Sequence, residues 1–264
     1  MADDMNTGKF RKPDWTGIRD GVPWVIGHRG HAESYPENTL PSFRAALAAG
    51  ADMVELDFRE TANGVLVCAH DDHVSRCIDL DRSPQAAKRR ISTSSSAVIA
   101  GWDAGARKNP SFAGIGIPTV EEAVKEILKG GGIPVLERKS GAPRRILDLL
   151  RRMKAVQSVC VQSFDWQFLR ALHFADSTVT LAALGKRTMP IDVIPAIRNT
   201  GARIVNWDFR GLTKSNVRRL HEPGFPVWTW TVNRELEFRS AVEMGLDAIT
   251  TDAPDRLRRF LDSS

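Results

Sequence analysis

Cysteine is scarce in this chain: Cys68, Cys77 and Cys160 form neither an even set nor a C-x-x-C pair. That excludes a disulfide framework and a paired-thiolate metal site, and it predicts reduced thiols in a cytoplasmic protein. Long apolar runs are missing too, since no window approaches the ~18 residues of a membrane span. Residues 1–20 are polar and charged, with no apolar run before Val22-Pro23-Trp24. A secretory signal is therefore not expected, and 1–20 reads as an extension ahead of one catalytic domain over 21–264. No stretch interleaves aromatic with basic residues as a nucleic-acid stacking platform would. The net charge of +5 is spread among acids, and groups such as Lys88-Arg89-Arg90 and Arg218-Arg219 fall on helices or loops. The positive balance reads as solvated surface with a weak attraction for anionic substrates. Neither a nucleic-acid partner nor stable membrane association is expected.

Also absent is a dinucleotide fingerprint. Gly27-His28-Arg29-Gly30 follows the first apolar run but lacks the third glycine and a helix directly behind it. What is present is an alternation of strands and helices. Trp24 to Gly27 reads as a strand, and Thr39 is placed to cap a helix over 40–49 with Gly50 as its stop. A strand over 53–58, a turn at Asn63-Gly64 and a returning strand over 65–70 follow. From Ile117 the alternation is regular, with strands near 133–137, 158–163, 178–184, 202–206, 226–231 and 248–251 between helices. About eight such units in 264 residues predict a closed (β/α)8 barrel rather than an open sheet. Residues 71–117 break the rhythm with serines, glycines and prolines, and read as a loop-rich inserted subdomain after the second strand.

In such a barrel the chemistry sits at the C-terminal strand ends. His28, Arg29, Glu55, Asp57, His70, Glu137 and Lys139 all fall there, with Gln162, Asn206, Trp230 and Asp252 at later strand ends. Glu55 and Asp57, two apart on a strand, share a face. They could hold a hard divalent cation with Glu137 as a third carboxylate, or instead pair with Arg59 and Arg138. His28 and His70 could pass protons around a phosphorus, or serve as structural hydrogen-bonded residues. Arg29 and Lys139 could cradle phosphate oxygens, or neutralise the carboxylates.

The ordered motifs decide among these. The chain resembles the glycerophosphodiester phosphodiesterases, metal-dependent (β/α)8 barrels, over about Val25 to Asp255. The resemblance rests on His28-Arg29-Gly30, Pro36-Glu37-Asn38-Thr39, Glu55-Leu56-Asp57, His70-Asp71, Glu137-x-Lys139, Gln162-Ser163-Phe164, Trp230-Thr231-Val232-Asn233 and Thr251-Asp252-x-Pro254. It implies His28 and His70 as the catalytic acid/base pair, and Glu55, Asp57 and Glu137 as ligands of one divalent cation, Mg2+ or Ca2+. Arg29, Lys139 and Trp230 are implied to contact a small phosphodiester substrate. The chain departs from the family's pattern at Arg76-Cys77-Ile78 and at Arg138. The implied reaction yields glycerol 3-phosphate and an alcohol, by direct attack of water or through a cyclic phosphate. Rival readings are lysophospholipase D-type cleavage, favoured by any apolar groove in the insertion, and a non-catalytic phosphate-binding barrel. The alcohol and the oligomeric state are not legible.

Overall fold

Strands covered on both faces are buried along their whole length, and this chain builds them repeatedly. β1 (Trp24–Gly27) and β6 (Thr180–Gly185) are buried at every position, and β2 (Met53–Glu60) at its first six. The computed structural model describes residues 21–263, so the segment 1–20 lies outside the described residues. Parallel strands β4 (Ile133–Arg138), β5 (Cys160–Ser163), β7 (Ile204–Asp208), β8 (Val227–Trp230) and β9 (Ala248–Thr251) continue the sheet. Their order is β1-β9-β8-β7-β6-β5-β4-β2, and β1 pairs back onto β2, so eight strands close into the expected (β/α)8 barrel.

Parity within each strand separates two cores. Leu56, Val161, Leu181 and Val205 face the surrounding helices in one large apolar cluster. Trp24, Ile26, Met53, Val135, Cys160, Ala182, Ile204, Trp228 and Ala248 form a second cluster inside the barrel. Helices such as α1 (Leu40–Ala48), α3 (Val120–Lys129) and α8 (Glu235–Met244) wrap the outside. The start of α3 is a full capping box between Thr119 and Glu122. At α1 the expected cap is not made: the Thr39 hydroxyl donates to the Pro36 carbonyl at 2.6 Å, so it secures the preceding loop.

The returning strand is shorter than expected. β3 (Leu66–Cys68) runs antiparallel to β2; beyond it the Ala69 N–H still donates to the Asp57 carbonyl at 3.1 Å, while the Cys68 N–H donates on the other side to the Pro118 carbonyl at 2.9 Å. His70 therefore lies two residues beyond the strand. The insertion leaves from this hairpin, not directly from β2. It contains short 3-10 turns at Val74–Arg76, Pro84–Ala86, Ile91–Thr93 and Pro110–Phe112, and one turn of α-helix, α2 (Ser96–Ile99). Val74, Ile78, Ile91, Ile99 and Trp102 bury against Val67 and Ala69 in a small core of their own. The buried Asp103 carboxylate ties the far end by accepting the N–H groups of Gly105, Ala106 and Gly114 at 2.8–2.9 Å.

Candidate active site

The site begins where β1 ends. The chain reverses through His28-Arg29-Gly30, with Gly30 at φ +88°, where a Cβ would sit 2.3 Å from the Ser42 hydroxyl; only glycine fits. Arg29 itself is left-handed at φ +51°, a strained conformation typical of functional sites. The turn aims the Arg29 N–H at Glu55 Oε2, 2.9 Å away. It also lays the guanidinium against Asp57 (Nε to Oδ2, 3.1 Å) and Glu37 (Nη1 to Oε1, 3.0 Å). Asn38, left-handed at φ +58°, grips the strand carrying Asp57 from the other side. Its Nδ2 donates to Asp57 Oδ2 at 2.8 Å and its Oδ1 accepts the Asp57 N–H at 3.0 Å.

Pairing register does the rest. β2 and β4 place Asp57 directly beside Glu137, and Glu55 lies two residues down the same inward face. Oxygens of Glu55, Asp57 and Glu137 lie within 4.8 Å of one another, all buried. Lys139 ion-pairs with Glu137 and, at 3.2 Å, with Asp57 Oδ1. Burial, then the Asp57 charge, pushes the Glu55 carboxyl up to about 8. Burial also raises Asp57, but Arg29 and then Lys139 outweigh it and hold that carboxyl below its usual range. The Glu137 carboxyl is raised by burial and Asp57, with Lys139 opposing. Two cations thus face three carboxylates, and Glu55 Oε1 is buried with no hydrogen-bond partner among the described residues. An uncompensated oxygen among clustered carboxylates fits a hard divalent cation.

Each histidine is held by a carboxylate. His28 Nδ1 lies 2.6 Å from Asp252 Oδ1, and Asn233 Nδ2 holds the other Asp252 oxygen at 2.6 Å. His70 Nδ1 lies 2.7 Å from Asp71 Oδ1. A carboxylate only accepts, so each Nδ1 carries a proton and each Nε2 is left to exchange one. The two rings are pulled apart: burial lowers His28 but Asp252 and Glu55 more than offset it, so its pKa is raised. Burial dominates at His70, whose pKa is lowered. Trp230, at the end of β8, stands edge-on to Phe164 with ring centroids 5.6 Å apart, away from these hydrogen bonds. Arg59 and Arg138 do not pair with the acids, since Arg59 donates to the His70 carbonyl and Arg138 to Gly141 and Asp165. Arg29 and Lys139 do contact the carboxylates.

The model of the glycerophosphoryl diester phosphodiesterase family matches residues 28–256. The chain belongs to this family. A glycerophosphodiester phosphodiesterase of Caldanaerobacter subterraneus is 26% identical over 239 residues, covering 88% of this chain and 95% of that one. One from Bacillus subtilis is 25% identical over 252 residues, covering 88% and 84%. The structure of an Oleispira antarctica phosphodiesterase in complex with the product sn-glycerol-3-phosphate has the same fold. It superposes with a TM-score of 0.84 at 23% identity, covering 93% of this chain and 99% of that one.

In this phosphodiesterase the closed barrel brings all the sequence-expected groups to one rim, with Trp230 toward its β5–β8 side. Sequence reasoning assigned no role to Asp252, Asp71, Asn38 or Glu37, which position those groups. Asp71 adjoins His70 in sequence, which was a usable signal. Asp252 lies 224 residues from His28 and meets it only because β9 pairs with β1. No helix among the described residues is long and apolar enough to cross a membrane.

Proposed function

We propose that the chain hydrolyses glycerophosphodiesters to glycerol 3-phosphate and an alcohol, with His28 and His70 as the acid/base pair. Glu55, Asp57 and Glu137 would hold one divalent cation, Mg2+ or Ca2+. The observation that carries this reading is the pair of carboxylate-anchored histidines beside a buried three-carboxylate cluster. When bound, the cation neutralises phosphate charge and orients the glyceryl hydroxyls. The chain's own groups do the rest. His70, with the lowered pKa, accepts through Nε2 the proton of the attacking oxygen, that of water or of the glycerol 2-hydroxyl, as the new P–O bond forms. A cyclic phosphate made by the hydroxyl is then opened by water. His28, with the raised pKa, gives its Nε2 proton to the alcohol oxygen as the old P–O bond breaks. Arg29 and Lys139, already at the carboxylates, are placed to share their charge with a non-bridging oxygen. Trp230 supplies an apolar wall, and residues 71–117 an inserted subdomain over the mouth. Cys68, Cys77 and Cys160 are free, which supports a cytoplasmic setting.

Lysolipid cleavage gains one observation, though not in the insertion, where Ile99 and Trp102 are buried in the local core. Phe164, Ile191 and Leu236 are 40%, 85% and 76% exposed, on segments following β5, β6 and β8. Assay of glycerophosphocholine, -ethanolamine, -inositol and a lysolipid, each with EDTA, Mg2+ or Ca2+, separates these readings. Soluble diesters should be cleaved in a metal-restored manner; EDTA-insensitive turnover would refute the cation proposal.

A further inference from the structure

Beyond the reacting groups, a second set of cations surrounds a cleft between the insertion and the loop that follows β1. It offers about 220 Å³ of free space, walled by Tyr35 and Glu37 on the barrel side and by Arg76, Arg107 and Lys108 on the insertion side. Its charges are unequally matched. Glu37 is taken up by Arg76, which donates to both its oxygens at 2.7–2.9 Å, and by Arg29. Arg76 is in turn matched by Glu37 and by Asp71. Glu33, nearby, is matched by Arg256.

Arg107 and Lys108 have no such partner among the described residues. Arg107 Nε donates to the Arg76 carbonyl at 2.7 Å, and Lys108 Nζ donates to the carbonyls of Ala32 and Glu33 at 2.8 Å each. These carbonyls fix the two side chains in place without cancelling their charge. Among the described residues neither Arg107 nor Lys108 makes a salt bridge. The Tyr35 ring, 5.4 Å from Phe112, closes one side with an apolar surface.

The cleft is one residue removed from the chemistry. Glu37 joins it to Arg29, which touches Asp57, and Asp71 joins it to His70 by accepting from Arg76. Glu37 and Asp71 thus link the wall of the cleft to the residues around the three carboxylates and His70.

We propose that this cleft takes the alcohol portion of the diester and selects alcohols bearing an anionic group, such as a phosphomonoester, over those bearing a quaternary ammonium. The assignment rests on the hydrolytic reading above and adds the class of alcohol. Charge-assisted hydrogen bonds from two prepositioned cations favour the anion, and the same field opposes choline.

The test compares kcat/KM for glycerophosphoinositol 4-phosphate, glycerophosphoinositol and glycerophosphocholine, in the native protein and in R107Q/K108Q. The native protein should prefer the phosphorylated alcohol over choline by about tenfold or more. Two lost charge-assisted contacts should shrink that ratio to near unity, mainly through KM. Added salt should weaken the native preference, because the cleft is open to solvent. That measurement needs no variant and decides the matter if R107Q/K108Q does not fold. Equal or choline-favouring turnover by the native protein overturns the proposal and leaves the hydrolytic reading intact, as does an unchanged ratio in the variant. No turnover of any diester, with Mg2+ or Ca2+ supplied, overturns the hydrolytic reading itself.

Discussion

The lower and upper layers of the barrel interior are built on the same strands, with the same inward parity, yet they do opposite things. Ile26 is followed two residues on by His28, Val135 by Glu137, Cys160 by Gln162, Ile204 by Asn206 and Trp228 by Trp230. Below, the inward side chains are apolar and fill the barrel. Above, they are polar, buried and short of partners, as at Glu55 Oε1, Asn206 Oδ1 and Trp230 Nε1. The lower layer provides burial free energy; the upper layer costs some of it to keep charge desolvated. A single step of two residues along each strand separates stability from chemistry.

The comparison breaks most visibly at the carboxylates. Glu55→Gln keeps the volume but removes one charge from the cluster. We expect kcat/KM to fall by several kcal/mol, on the order of 10³-fold or more. The rise in melting temperature on adding Mg2+ or Ca2+ should vanish with it, while the metal-free melting temperature holds or rises. An undiminished metal-induced shift would remove Glu55 from the ligand set. His28→Ala and His70→Ala should each lower kcat by about 10²- to 10⁴-fold while keeping the metal-induced shift. Near-normal turnover in both would end the acid/base assignment.

In the lower layer the expected effects reverse. Trp228 is 2% exposed within the apolar plug, and Trp228→Ala should cost about 3–5 kcal/mol of unfolding free energy. Turnover per folded molecule should change far less, which denaturant melts and active-site titration together can show. A loss of kcat comparable to that of Glu55→Gln, with stability kept, would mean the two layers are not separable.

This layering also decides what could be read from sequence. The barrel was legible because buried parallel strands and their short turns repeat, and the rim residues were legible because polar groups interrupt apolar strands at their C-terminal ends. Asp252 was not assigned a role because its partnership with His28 exists only once β9 closes on β1. The insertion's own core was hidden for another reason. Its apolar residues, Val74, Ile78, Ile91, Ile99 and Trp102, sit on single turns too short to show a period. Glu37 looked like one motif residue among several, yet it receives Arg29, Arg76 and Cys77 from three directions.

Glu37 also gives the gentlest test, because it joins the upper layer to the insertion. Burial raises its carboxyl, but Arg76 and then Arg29 outweigh that and bring it to about 2. A carboxylate whose folded pKa lies below its ordinary 4.5 binds fewer protons folded than unfolded. Its contribution is therefore complete above pH 4.5 and is lost as pH falls toward 2, amounting to on the order of 3 kcal/mol. The apolar plug contains no such group, so acid should loosen the insertion before the strands β5 and β6 that help form the plug. Hydrogen exchange should show amides at 74–104 losing protection between pH 4.5 and 2 while those of β5 and β6 keep theirs. Glu37→Gln should give the same pattern at neutral pH, with Arg76 left facing a neutral amide. If both regions lost protection together, the insertion would be an integral part of the barrel's cooperative unit, and the contrast between a stable floor and a held-together rim would stop at the strands.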